Sequence, residues 1–255
     1  MVGVSSDRTE PGAEDDLRSD GRSTRWDAHR ARRREQVVDA ALVVLGRDGE
    51  DFGLDQVAHE AGVTKPVIYR HFGDRAALLD AMAERATDRL MERLMPALYR
   101  ESAARTRIHD SVDAVMGFFD DSPGVDLLFR RRLPGQRGEV VDAGREFIAS
   151  ALTGLLGAYA EMLDVDESDL VQVWSQSVVG AVQATAEWWL RGRATGDTLD
   201  RAVVTDHLTD LIWVQIEGMA RRRGLTLGPE SLHPTRGRAQ AVVALDLVVR
   251  RGTGS

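Results

Sequence analysis

Nineteen residues, Leu54–Phe72, constrain this chain more than any other stretch, because they specify a corner between two short helices. Leu54, Val57, Ala58 and Ala61 recur at the spacing of one helix face, and Ile68 and Phe72 do the same on the next segment. Between them, Ala61-Gly62 supplies small residues at the turn, and a Cβ at the second position would resist the backbone conformation needed there. Thr64 has the side chain of an N-cap, its hydroxyl expected to accept a backbone N–H from the first turn of the following helix. Pro66 is tolerated in that first turn, where its missing N–H has no intrahelical partner. The layout is that of a helix-turn-helix. Its second helix is expected to bury Ile68 and Phe72 while exposing Lys65, Pro66, Val67, Tyr69 and Arg70, side chains suited to a duplex. Lys65 is the single lysine of the chain; the other basic side chains are arginines. The plain alternative is a helical hairpin with a solvated polar face.

A formal net charge of −8 argues at first against nucleic acid, but the signs are segregated. Asp7, Glu10, Glu14, Asp15, Asp16 and Asp20 come first, and Arg22, Arg25, Arg30, Arg32, Arg33 and Arg34 follow within a few turns. A local basic patch is sufficient for a DNA-binding face. Arg25 and Arg30, with their neighbours, are placed to track phosphates or enter a minor groove; a solvated charge run is the alternative. Three phosphates neutralised per subunit, six per dimer, would give a salt slope of about −5 in log K against log[salt].

The sequence has no cysteine, so disulfides and thiolate metal sites are excluded, which fits a reducing, cytoplasmic setting. No apolar run approaches the roughly eighteen residues of a membrane span, and the polar N-terminus lacks a signal-peptide core. Residues 1–22, with almost nothing to bury, are expected to be a disordered acidic tail. Residues 23–73 form the helix-turn-helix unit. Helical periodicity then continues through 74–223, beginning with a long helix over about 74–100 in which Pro96 is placed to introduce a bend. Residues 224–255 form a tail whose apolar stretch 239–249 suits a helix or a strand equally. The expected fold is all-α: a three-helix helix-turn-helix domain followed by a larger helical domain.

From about Arg30 to Leu79 the chain resembles the TetR family of transcriptional regulators. The resemblance is carried by Val57-Ala58, Ala61-Gly62-Val63-Thr64, Ile68-Tyr69-Arg70-His71-Phe72 and Leu78-Leu79. It implies base or adjacent phosphate contacts by Lys65, Pro66 and Tyr69, and a backbone grip by His71 and Arg75, with Arg70 able to do either. It departs from the family at Gly53 and Leu54, where many members carry hydroxyl side chains that meet phosphate. Asp55 in the same turn suits the helix dipole but would repel phosphate. The resemblance also implies a second domain that pairs two chains and senses a small molecule.

The sequence supports that second role in part. Leu170–Leu190 and Leu199–Met219 are apolar at helical spacing and carry small residues at Gly180, Ala181, Ala184 and Gly218. Val178, Ala181, Thr185, Leu208, Ile212 and Met219 are the expected homodimer contacts of a four-helix interface; internal core helices are the alternative. A dimer would place two recognition helices about 34 Å apart, on the half-sites of a palindromic operator. Met116, Phe119, Phe147, Trp174, Trp188 and Trp213, with Gln183 as a polar member, are the candidates for an apolar pocket. Such a pocket would take a fatty-acyl or aromatic effector, although an apolar stripe also describes ordinary core. No cofactor or catalytic constellation is indicated, and no enzyme is expected. His109 with Asp113 has metal-compatible spacing but no further ligand, while His207 and His233 stand alone. The functional expectation is a ligand-released repressor. The alternative is an architectural DNA-binding protein whose second domain only dimerises.

Overall fold

Apolar residues at helical spacing fold into nine α-helices and one 3-10 turn, with no strand among the described residues. The computed structural model describes residues 13–130, 138–162, 168–196 and 199–222, with Leu133, Gly135, Gln136 and Gly228. Helix α1 (Ala13–Asp48) begins well inside the stretch expected to be disordered. Local propensity accounts for the difference: Ala13, Glu14, Leu17 and Arg18 are good helix formers. Residues 1–12 lie outside the described residues, as does the expected element at 239–249.

Among the described side chains of α1, Val37, Ala41, Val44 and Leu45 are fully buried. A 3-10 turn (Gly49–Asp51) leads into α2 (Leu54–Glu60), whose first turn is held by the Gln56 carboxamide oxygen accepting from the Gly53 N–H. The corner before α3 (Lys65–Phe72) depends on Gly62, at φ +61°, which lets the Val63 N–H reach the Ala58 carbonyl at 2.9 Å. Gln36 of α1 donates to the Ala61 carbonyl at 3.1 Å and so fixes the corner against the first helix. The Asp74 carboxylate accepts from the Ala77 N–H at 2.7 Å and starts α4 (Arg75–Leu98), with Pro96 inside its last turn.

Helix α4 belongs to both halves of the molecule. It packs on α1 and α3, and further along on α5 (Ala104–Asp121), α6 (Val125–Phe129) and α7 (Glu139–Met162). Helix α8 (Ser168–Thr195) pairs with α7, and α9 (Arg201–Arg221) lies along α5. One contiguous hydrophobic core runs from Ile68 and Phe72 through Leu78 and Met82 to Phe118, Phe129 and Leu208. The expected boundary at residue 73 therefore does not separate two cores. Phe119 packs edge-on against both Phe118 and Phe129, with ring centroids 5.2 and 5.4 Å apart.

A second connection is made backbone to backbone. Gly124, the residue before α6, has φ +78°, and a Cβ there would lie 2.6 Å from the Leu45 carbonyl oxygen and 3.0 Å from Gly46 Cα. Gly46 reciprocates, since its Cβ would lie 2.8 Å from the Pro123 oxygen. The turn before α6 thus rests directly on the end of α1, a contact that only residues without side chains permit.

Candidate functional site

The outward side of the head is basic. Tyr69 is 46% exposed, Thr64, Pro66 and Arg70 are exposed, and Lys65 and His71 are partly so. Across from α3, Arg30 and Arg33 of α1 complete an open cleft that also includes His29, Thr64, Arg70 and His71. Arg34 turns the other way and lies 5.2 Å above the Phe72 ring. The structure therefore brings together Thr64, Arg70, His71 and Arg30 of the expected DNA contacts. It adds His29, which the one-turn spacing with Arg33 on α1 would have placed there. Arg25 falls within α1, but its side chain is not among those described.

Three details differ from the sequence reading. The Thr64 hydroxyl makes no capping bond. Pro66 removes one candidate donor, and the Val67 N–H is already taken by the Thr64 carbonyl at 2.9 Å. Arg75 is not a free cation. Its guanidinium donates to the Phe52 carbonyl at 3.0 Å and stacks 4.2 Å above the Phe52 ring, and burial lowers its pKa. It fastens the start of α4 to the chain before α2. Lys65 has a partner too: Asp55 lies 2.9 Å from its ammonium, with the lysine side chain 42% and the aspartate 80% exposed. That hydrogen bond, then its charge, raises the Lys65 pKa.

His71 is held below the usual histidine pKa, chiefly by burial, then by Arg70, Arg30, Arg33 and Arg34. The folded protein thus binds a proton at this site less readily than the unfolded chain does. Its contribution to stability falls as pH drops through about 6.5, where the unfolded histidine takes up its proton. Urea unfolding midpoints at pH 7.5 and 5.5 should show this, with His71→Gln shrinking the difference between them. An undiminished difference in the variant would assign the pH dependence elsewhere.

Beneath the head, α4, α5, α7, α8 and α9 line an apolar cavity of about 150 Å³. Leu90, Leu94 and Leu98 present α4 to it, and Phe119 and Phe129 close the side towards α6. Of the residues expected from sequence, Phe119, Trp174 and Gln183 line it. Met116 is instead fully buried in the main core, and Trp188 points outward, 52% exposed. Trp213 packs on a smaller cluster with Leu98 and Leu155, and half-buried Phe147 does not reach the cavity. A void is set by what neighbouring helices leave unfilled, so periodicity finds its walls only by chance.

The expected interface residues also need correction. Val178, Leu208 and Ile212 are buried within one chain, Leu208 at 1% exposure, so they cannot meet a second copy. Helices α8 and α9 are apolar on two sides, and spacing alone does not say which side faces the core. Ala181, Thr185 and Met219 are partly exposed. The outward stripe of α8 is Val173, Ser177, Gly180, Ala184 and Trp188; that of α9 is Val203, His207, Leu211 and Val214, the last 61% exposed. His109 faces Asp206 at 3.5 Å while Asp113 pairs with Arg201 at 3.4 Å, so the two do not converge on a shared ligand. His233 lies outside the described residues.

A helix-turn-helix with a basic recognition face, carried on a helical domain through a shared helix, defines a DNA-binding transcriptional regulator. Residues 37–82 match the family model of bacterial regulatory proteins, tetR family, and residues 93–227 match that of the tetracyclin repressor-like C-terminal domain. The chain belongs to the TetR family, whose members are regulators rather than enzymes. It is 27% identical over 222 residues to an uncharacterized HTH-type transcriptional regulator of Mycobacterium tuberculosis, covering 86% of this chain and 92% of that protein. In fold it is similar to a tetR-family transcriptional regulator from Streptomyces coelicolor, with a TM-score of 0.59, 21% identity and coverage of 86% and 96%. It is also similar in fold to the transcriptional regulator FadR from Bacillus subtilis in complex with stearoyl-CoA, with a TM-score of 0.56, 18% identity and coverage of 70% and 96%.

Proposed function

We propose that this regulator is a homodimeric repressor that leaves a palindromic operator when a small apolar or amphipathic molecule fills its cavity. The observation that carries the reading is the cavity itself, because three leucines of α4 wall it and the same helix begins at the DNA-binding head. A purely architectural protein would have no use for such a space, and a filled core would have favoured that alternative. The exposed apolar stripes of α8 and α9 support pairing, with Gly180 and Ala184 small enough for close helix approach. FadR, in a fold of this kind, holds stearoyl-CoA, which makes acyl compounds a suitable first class to test.

In the operator-bound state, Lys65, Pro66 and Tyr69 address bases and nearby phosphates, while Thr64, Arg70, His71, Arg30 and Arg25 engage the backbone. The dimer has two states that differ in the spacing of its heads. A ligand that prefers the wider one lowers operator affinity by its difference in binding free energy between the two. Selection of bound sequences from a random duplex pool should return a palindrome with half-sites about 34 Å apart. Tyr69→Ala should then cost about 1–3 kcal/mol at particular base pairs while leaving others unaffected. Recovery of no preferred sequence would support the architectural alternative. Operator affinity unchanged at ligand saturation, with binding verified calorimetrically, would overturn release.

A further inference from the structure

We propose that the head takes up protons together with DNA: phosphate in the cleft between α1 and α3 charges His71 and His29, so duplex affinity rises as pH falls from about 8 to 6. This rests on the cleft being the DNA-binding face, as read above, and adds a proton-linked control to it. The two histidines come from different elements, exposed His29 from α1 and His71 from the last turn of α3. They wall the cleft with Arg30, Arg33, Thr64 and Arg70.

Charge sets this cleft apart. Several surface arginines elsewhere have carboxylate partners: Arg47 lies 2.9 Å from Asp48, Arg93 2.9 Å from Asp121 and Arg100 2.7 Å from Asp110. No residue lining the cleft carries a carboxylate. His71 meets the resulting excess of positive charge from two helices. Burial, then Arg70 on its own helix, then Arg30, Arg33 and Arg34 of α1 hold its pKa below the usual histidine value. No carboxylate is among the groups acting on it. Asp74, the nearest acid in sequence, is turned to the start of α4, where it accepts from the Ala77 N–H at 2.7 Å.

A duplex brings the missing anion. A phosphate at the mouth of the cleft opposes the field of the arginines and offers oxygens to an imidazolium N–H, so the charged ring becomes the favoured form. The pKa therefore moves upward on binding, and the complex holds more protons than the separate partners. Affinity gains as pH falls through the window between the lowered free value and the raised bound one, and levels off outside it. The sign is opposite to that for folding: acid weakens the free fold at His71 yet tightens the complex. His29, one turn before Arg33 on the facing wall, meets the same phosphates and contributes the smaller share.

The test uses the full-length protein and a random-sequence duplex, because phosphate contacts do not depend on sequence. Fluorescence anisotropy at pH 8, 7 and 6 in constant low salt gives affinity, and calorimetry in two buffers of different ionisation enthalpy counts protons directly. An uptake of about one proton per dimer corresponds to a gain of about tenfold per pH unit. His71→Gln should remove most of that gain, and His29→Gln added to it should remove the remainder. His71→Asn, a smaller neutral replacement, repeats the measurement should the glutamine disturb the fold, and the proton count on the parent needs no variant at all. Equal heats in the two buffers, affinity independent of pH, or a pH dependence that survives both replacements overturns the proposal alone. Absence of duplex binding at every pH overturns the reading of the cleft as the DNA-binding face, and the proposal with it.

Discussion

Gly124→Ala is expected to lower the thermal midpoint by about 6–12 °C, the effect of roughly 3 kcal/mol in a domain of this size. Two penalties combine. A left-handed backbone at φ +78° costs an alanine about 1 kcal/mol. The added methyl would also fall 2.6 Å from the Leu45 carbonyl oxygen and 3.0 Å from Gly46 Cα, which are backbone atoms of the last turn of α1 and cannot swing aside as a side chain would. Gly157→Ala in α7 provides the matched control: its methyl meets nothing within 4 Å, and alanine in a helix interior should stabilise by about 0.5–1 kcal/mol. Thermal unfolding followed by circular dichroism checks both signs, and a midpoint for Gly124→Ala within a degree of the parent would show that α1 does not bear on the turn before α6.

The second large effect concerns DNA. Replacing Arg30 and Arg70 together by alanine removes one cation from each wall of the head's cleft. Both residues are exposed, so the fold should be unaffected. If each guanidinium neutralises one phosphate, a two-fold dimer loses four, and the slope of log K against log[salt] should flatten by about 3.5. Affinity near physiological salt should fall about a hundredfold or more, for matched and unmatched duplexes alike. Binding isotherms from 50 to 200 mM salt measure both quantities. A flatter slope with loss confined to certain base pairs would instead make these arginines readers of bases.

The head was legible from sequence because its constraints are local. Gly62 at the corner and the four-residue step from Ile68 to Phe72 each follow from helix geometry, and the structure places them accordingly. Arg75 was read as a phosphate grip because it is a basic residue beside a recognition helix, and nothing local reveals that the Phe52 ring lies beneath its guanidinium. In α8 and α9 the difficulty was one of faces. Val178 and Gly180 are two positions apart, yet one is core and the other faces outward, and a helix apolar on both sides carries no mark of which is which. The cavity was least legible, since it depends on how five helices fail to fill the space between them.

The ion pair between Lys65 and Asp55 alters what the recognition helix brings to DNA. An ammonium already matched to a carboxylate gains from a phosphate or a guanine only the difference between the two partners, and its exposed aspartate must then stand beside a polyanion. If Lys65 addresses DNA as proposed, Asp55 competes with each duplex for its ammonium. Random DNA, offering charge alone, gains little by displacing it. A site that also satisfies Tyr69 and Arg70 has contacts enough to complete the exchange. Under that reading the carboxylate would set a threshold, sharpening the contrast between a matched sequence and the others.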